Sequence, residues 1–542
     1  MPLKSILFGA CAFLLCTSAQ AQQDDFGTQM SARAFEGAQW IMATKAARAV
    51  AQMGARAAVG DGPLAQLIRD RQQIEADVAE AKSLYAVRNA GAGTRAALQK
   101  SEQELFDKDA EIREKFPHYA EFSNPKPLNY QQLRKHLAPN EGLVLFLSAP
   151  FGTYVWAVSH KGHAWHRADI SAADLTDRIR NLRADLDPTA PVRAAVPLSA
   201  PSAIAGPTFD LVQANALFTQ LLAPVLPALD EVDHLFVVKD GALSSLPLAV
   251  LVTDKPDAST TFSNAAWMIN RFAFTTLPGV SSLPSIRAST EKPTEGAQVS
   301  GFVGFGDPDF GGAQAHAKPV SRAMGAFFGD EGTLTDAVRS LPPLPGTARE
   351  LRDIAELFGP TRAQVFTGDQ ATEARVKSAA LEQTAIISFA THGLITGDFS
   401  GLAEPALALT PPRNGTILDD GLLTASEAAK LKLNADWVIL SACNTASGDG
   451  TPGAEGLSGL ARAFLFAGAR SILVSHWPVR DDVAAILTKE TLARLQQNPS
   501  LGKSQALRLS MLDLITQSRS PSLAHPSAWA PFVLVGDGGA TQ

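Results

Sequence analysis

Cysteine is nearly absent: the 542 residues contain only Cys11, Cys16 and Cys443. That excludes a disulfide framework and a cysteine-rich zinc site as the source of stability. Charge of one sign is missing too. Lys and Arg number 47 against 54 Asp and Glu, a net −7 with no polybasic run, so the chain lacks the electrostatic footprint of a partner for nucleic acid or an anionic membrane surface. There is no phosphate-binding glycine loop and no internal repeat. The apolar run Ile6 to Cys16 is well short of the roughly 20 residues that span a bilayer.

That short run has another meaning. Lys4 precedes it and Thr17-Ser18-Ala19-Gln20-Ala21 follows, which together give the charged, apolar and small-residue segments of a secretory signal peptide over residues 1–21. Export to the periplasm or the extracellular space is expected, with no stable membrane insertion after cleavage. An uncleaved anchor would need a longer apolar run, and lipoprotein processing at Cys16 is disfavoured by the bulky Leu15. Export would leave Cys443 as the one thiol, and an unpaired thiol in an exported protein is a candidate reactive group.

The remaining length allows two or three domains and a large core. Residues 22–125 read as helical: an Ala-rich segment, Ser31 to Ala58, with Trp40, Ile41 and Met53 on one stripe, then a helical hairpin hinged at Asn89 to Gly93. Residues 126–188 read as a small α+β unit whose strands, near Leu143–Leu147, Gly152–Val158 and Ala164–Arg167, make a meander. His160, His163 and His166 fall within it. His163 and His166, three apart in a strand, point to opposite faces, so they do not form a metal site. Residues 189–207, rich in Pro, Ala and Ser, read as a linker.

From residue 208 to 540, strands alternate with helical patterns, among them a helix over Leu246–Leu251. Alternation of this kind implies a mostly parallel sheet with helices on both faces. Two strands stand out. Ile386 to Thr391 runs into His392-Gly393, and Trp437 to Ala442 runs into Cys443-Asn444. Both are short and apolar on both faces, as for buried parallel strands. Active sites in such sheets gather outside the carboxyl ends of strands, where His392 and Cys443 both lie. An imidazole beside a thiol of ordinary pKa near 8.5 can take its proton and later protonate a leaving amine. The plainer alternative is a buried core cysteine and a hydrogen-bonded histidine. Leu394 to Thr424, rich in Gly and Pro, reads as a loop at the same face, suited to a substrate groove.

Thr391-His392-Gly393, Ser441-Ala442-Cys443-Asn444-Thr445-Ala446, Glu455-Gly456-Leu457, Ala467-Gly468-Ala469, Trp477-Pro478-Val479, His525-Pro526 and Trp529-Ala530-Pro531-Phe532 together resemble the CHAT-domain proteins. These are caspase-like peptidases, usually preceded by tetratricopeptide repeats and related to caspases, metacaspases and separase. The resemblance spans about Leu128 to Asp537 and implies a caspase-like α/β fold. It also implies a dyad of His392 as base and Cys443 as nucleophile, with an oxyanion hole from the backbone N–H groups of Gly393 and Cys443. The separation of 51 residues matches the caspase interval of about 50, but Ser-Ala-Cys-Asn-Thr departs from the caspase Gln-Ala-Cys context. The departure points away from cleavage after Asp.

The resulting expectation is a cysteine endopeptidase that cuts a protein or peptide partner without a cofactor or metal. Asp481, four residues after Trp477, is the candidate reader of a basic side chain at the cleavage site, as an acid at a similar position is in separase. Glu455 is a second candidate. As a local alternative, Asp481 would N-cap the helix that follows, with Asp482 in its first turn. The competing function is a non-catalytic scaffold that binds a partner through the helical region.

Overall fold

The computed structural model describes residues 30–42, 67, 69–71, 73–75, 77–78, 81, 92–115, 127–187, 208–290, 301–311, 334–394, 402, 404–413, 419–441, 459–516 and 520–539. Residues 1–21 and 189–207, expected to be a signal peptide and a linker, lie outside these residues, as do Cys443, Glu455, Met53 and positions 89–91 of the expected hairpin hinge.

Strands β1 (Glu141–Ala149), β2 (Gly152–Ser159) and β3 (His163–Ala168) form the meander, with helix α1 (Ala172–Leu186) and helix α2 (Leu211–Leu221) after it. Then come β4 (His234–Val238), β5 (Ala273–Thr276), β6 (Phe302–Pro308), α3 (Pro345–Phe358), β7 (Ala363–Gly368) and β8 (Ile386–Ala390). The short strands β9 (Gly393–Leu394), β10 (Ala406–Ala408) and β11 (Leu422–Thr424) precede β12 (Trp437–Leu440), α4 (Gly459–Ala467) and β13 (Ser471–Ser475). Helices α5 (Asp481–Gln497) and α6 (Lys503–Thr516) lead to β14 (Phe532–Gly536).

Eleven strands make one sheet in the order β3-β2-β1-β4-β5-β14-β13-β12-β8-β6-β7. The pairs β1·β4, β4·β5, β6·β7, β6·β8, β8·β12 and β12·β13 are parallel, and β14 runs antiparallel to β13. This is the mostly parallel, helix-flanked sheet expected of the caspase-like class. Because β1 pairs directly with β4, the meander and the later strands share a single ladder.

Alternation along the strands feeds two cores. Val144, Phe146, Trp437 and Ile439 face one side, with residues of α1, α2, α3, α5 and α6; Leu143, Leu145, Val438 and Leu440 face the other, with Phe464 of α4 and Phe35 of the helix at 30–41. Burial on both faces is what a parallel sheet covered by helices requires. No single helix among the described residues is long and apolar enough to cross a membrane.

Three local expectations change. In the helix at 30–41 the buried stripe is Phe35, Ala38 and Met42, while Trp40 and Ile41 are exposed; Phe35 stacks on Tyr130 at 4.8 Å. A helix over Leu246–Leu251 does not form. Two 3-10 turns, Gly241–Ser245 and Leu248–Val250, flank Leu246-Pro247 instead, because proline lacks an N–H and disfavours helical backbone in the residue before it. The expected loop Leu394 to Thr424 contributes β10 and β11, which join β9 in a small three-stranded sheet.

Candidate active site

Parallel pairing brings the carboxyl ends of β6, β8, β12 and β13 to one edge. β6 pairs with β8 from Phe302–Ile386 to Gly306–Ala390, and β8 with β12 from Ile386–Trp437 to Phe389–Leu440. The Ser441 N–H then donates to the Phe389 carbonyl at 2.9 Å. Gly306 allows this edge to close: a Cβ there would stand 2.7 Å from Leu351 of α3 and 2.8 Å from the Ala390 carbonyl oxygen.

His392 is held by its own backbone and its neighbours'. Its carbonyl accepts from the Ala408 N–H at 2.9 Å, Gly393 and Leu394 pair with Leu407 and Ala406, and the buried Thr391 hydroxyl donates to the Ala408 carbonyl. The small sheet thus clamps the peptide units on both sides of the imidazole. The ring is fully buried, at 0% exposure, with Phe310 at 5.7 Å. Its Nε2 lies 2.9 Å from the Pro342 carbonyl oxygen. A carbonyl can only accept, so Nε2 carries the proton, and in the neutral ring Nδ1 is the basic nitrogen.

The rim of this edge is knitted from strand ends. The Asp307 N–H donates to Thr347 Oγ1 at 2.8 Å, that of Asp309 to Thr410 Oγ1 at 2.9 Å, and the Thr410 hydroxyl to the Gly368 carbonyl at 2.6 Å. Asp307 holds a left-handed φ of 43°, a conformation that aspartate tolerates better than most non-glycine residues. Burial pushes its carboxyl up, opposed by the Leu344 backbone and Arg352.

Glu350 is a component that sequence reasoning passed over. It lies on α3 at 0% exposure, where Oε2 accepts from the Ser441 hydroxyl at 3.3 Å and Oε1 from Thr488 of α5 at 3.4 Å. A buried carboxylate is thereby placed directly under the end of β12. The available signal was an acid within the apolar stripe Thr347, Ala348, Leu351, Ile354 of an amphipathic helix.

Asp481 is the first residue of α5. The N-cap is Arg480, which makes no side-chain capping bond but pairs with Asp482 at 2.6 Å. So Asp481 is not the N-cap that its position suggested. Strand β13 ends at Ser475, Trp477 and Val479 are buried in the turn that follows, and the helix starts at Asp481. Its carboxylate abuts Gly346 in the first turn of α3, at the point where a Cβ would otherwise stand. Negative charge is favourable there, at a helix N-terminus. The segment Pro342 to Gly346 therefore separates His392, bonded to its first residue, from Asp481, packed on its last.

The other motif residues are scaffold. Trp477 Nε1 donates to the Ser527 carbonyl at 2.9 Å, the Arg183 guanidinium lies 5.3 Å above the Trp477 ring and donates to the His476 carbonyl at 2.9 Å, and His525 caps the helix Pro526–Trp529. Burial, reinforced by Lys239 and Arg183, holds the His476 imidazole well below its usual pKa. His163 stacks on Tyr130 at 4.1 Å and bonds to Arg134, so it serves the meander. Of the candidates, His392, Gly393 and Asp481 stand on this edge.

The family model for the CHAT domain matches residues 212–537. The chain belongs to the CHAT-domain family. Among curated proteins, tetratricopeptide repeat protein 28 of Mus musculus is 28% identical over 366 residues and that of Homo sapiens 27% over 367. Each match takes in 59% of this chain and 13% of the relative, so the chain spans a small part of those relatives' length. Similar solved structures include the separase–securin complex of Saccharomyces cerevisiae, with TM-score 0.42 and 11% identity, covering 82% of this chain and 34% of that one. The Arg-specific cysteine proteinase gingipain R has TM-score 0.34 and 11% identity, covering 68% and 75%.

Proposed function

We propose that this protein is a cysteine peptidase in which His392 and Cys443 form the catalytic dyad. The observation that carries the reading is strand register. Each β8 residue pairs with the β12 residue 51 positions later, from Ile386–Trp437 to Phe389–Leu440, and 51 is also the interval from His392 to Cys443. Continued for three residues, the same register would make positions 392 and 443 partners, which is what the proposed dyad requires. Membership of the CHAT family, and the tautomer that leaves Nδ1 basic, support the same assignment.

In this reading Nδ1 takes the thiol proton as sulfur attacks the scissile carbonyl carbon, and the new C–S bond places a negative charge on the carbonyl oxygen. The N–H groups of Gly393 and Cys443 are the proposed donors to that oxyanion. Collapse of the intermediate breaks the C–N bond, with the proton on Nδ1 passing to the departing amine. Water, deprotonated by the same nitrogen, then hydrolyses the thioester and restores the thiol. The substrate class is a protein or peptide, and residues 1–21 support its being met outside the cytoplasm. Asp481 and Glu455 are the proposed contacts to the side chain at the cleavage site.

Complete burial of His392 favours a second reading, a non-catalytic scaffold that binds a partner through the helical region. The two are separated by a thiol-directed peptidyl probe followed by peptide mass mapping. Catalysis predicts labelling at Cys443 that is lost in both Cys443→Ala and His392→Gln. A wild type that stays unlabelled while its thiol is accessible to a small alkylating reagent would establish the scaffold.

A further inference from the structure

The eleven-stranded sheet ends on β3 at one side and on β7 at the other, and the two edges are built differently. A bare edge invites another strand, and charge along it is the ordinary deterrent. β3 carries His163, His166 and the exposed Arg167, so a second copy laid against it would set like groups together. β7 reads Ala363-Gln364-Val365-Phe366-Thr367-Gly368, with no charge anywhere along it. Its two faces are occupied. Phe366 stacks on Phe305 at 5.3 Å, with the Arg375 guanidinium 5.2 Å from its ring, while Ala363 and Val365 pack on the opposite core. The Phe302 N–H donates to the Arg362 carbonyl at 2.8 Å. In the ladder with β6, Gln364 and Phe366 therefore turn their peptide groups inward, and those of Ala363, Val365 and Thr367 point outward. Among the described residues, the Thr367 carbonyl alone of this outward row has a backbone partner, the Gln370 N–H at 3.2 Å.

The ends of β7 carry opposite charges. Arg362 stands immediately before the strand and Asp369 immediately after it, both exposed, and neither forms an ion pair among the described residues. An edge that is neutral along its length, positive at its start and negative at its finish is complementary to itself run backwards. We propose that β7 is the interface of a symmetric dimer, pairing antiparallel with β7 of a second copy. A two-fold axis through Val365 matches Val365 with itself, Ala363 with Thr367 and Arg362 with Gly368, and in this register every outward peptide group meets an outward one. Arg362 of each copy then falls one residue from Asp369 of the other, which gives a reciprocal set of ion pairs at the two ends of the joined strands. The inference does not rest on the peptidase reading: β6 separates β7 from β8, and no proposed catalytic group takes part.

Sedimentation of the full chain tests this with no activity readout. The wild type should pass from monomer to dimer as concentration rises, and added salt should weaken the dimer by screening the terminal pairs. Arg362→Glu and Asp369→Arg should each weaken it at least about tenfold, because like charges then face one another, and the double exchange should restore it. Val365→Pro removes an outward N–H at a place where an edge strand accepts proline, and should abolish dimerisation with the fold retained by circular dichroism. Were that variant misfolded, the charge exchanges alone would still decide. A wild type that stays monomeric at about 0.1 mM, where a dimer of about micromolar Kd is filled, would overturn the proposal. So would a dimer that survives both single exchanges, or one that the double exchange fails to restore.

Discussion

At the scale of single residues, the site is a set of buried polar groups whose partners are supplied by different elements. The position of His392 was legible in the sequence because it ends an apolar run, and its tautomer follows from one carbonyl, that of Pro342, which no pattern announces. Glu350 was illegible for a different reason: its partners Ser441 and Thr488 are 91 and 138 residues away, so only the folded chain shows why an acid sits in an apolar stripe. Glu350→Ala should cost about 1–3 kcal/mol, because the buried Ser441 hydroxyl loses Glu350 as an acceptor, whereas that of Thr488 still donates to the Ala484 carbonyl at 2.7 Å. Glu350→Gln keeps an acceptor oxygen and should cost less than half as much. Denaturant midpoints of the three proteins check the order, and probe labelling at Cys443 should fall further in the Ala variant than stability alone explains. Equal losses in Ala and Gln would mean that the carboxylate matters only as volume.

Elements with a strong period were legible, and those shaped by a single proline or by distant pairing were not. β1, β2, β6, β8, β12 and β13 stand where apolar alternation or apolar runs place them, and α3 begins at Pro345 and ends at a left-handed Gly359, φ 75°. The 3-10 turns around Pro247 replaced a helix because one missing N–H outweighs favourable composition. β10 and β11 hold three residues each, too few to show a period, and exist because β9 offers them an edge. Packing of α3 on β6 makes a measurable prediction. Gly306→Ala inserts a methyl group against Leu351 and the Ala390 carbonyl, and overpacking of this kind costs about 1–3 kcal/mol. Because Ala390 lies two residues before His392, the variant should lose probe labelling as well as stability. An unaltered melting temperature would show that α3 can shift away from the sheet.

At the scale of the whole molecule, one ion network joins four distant parts of the chain. Arg287 bonds both oxygens of Glu141 at 2.6 and 2.5 Å and reaches Asp537 at 3.4 Å, while His234 lies 3.3 Å from Glu141. Burial alone would raise the Glu141 carboxyl, but the His234 hydrogen bond and the Arg287 charge outweigh it and hold it at about 2, against 4.5 for the free group. A depressed carboxylate stabilises the fold above its unfolded pKa and ceases to do so as pH falls through the folded one. The gap is worth roughly 3 kcal/mol, present above about pH 4.5 and lost towards pH 2. Arg287→Met leaves a buried anion unbalanced and should cost about 3–5 kcal/mol near neutrality, with the difference from wild type shrinking between pH 5 and about pH 3 as the variant's carboxyl protonates. Urea melts across that range measure it, and a pH-independent difference would rule out the electrostatic account.

The sheet order carries a consequence for truncated chains. β14 sits between β5 and β13, bonding to β13 through five residue pairs and meeting β5 at Val535–Thr276. It is also the strand that a ribosome makes after all the others described. Without it, the strands on either side would form two half-sheets, each with a raw central edge of unpaired amides. Wherever the chain folds, Phe532 to Gly536 is the strand that closes the central gap, so truncation before Phe532 should leave two unjoined sheet edges and an aggregating product.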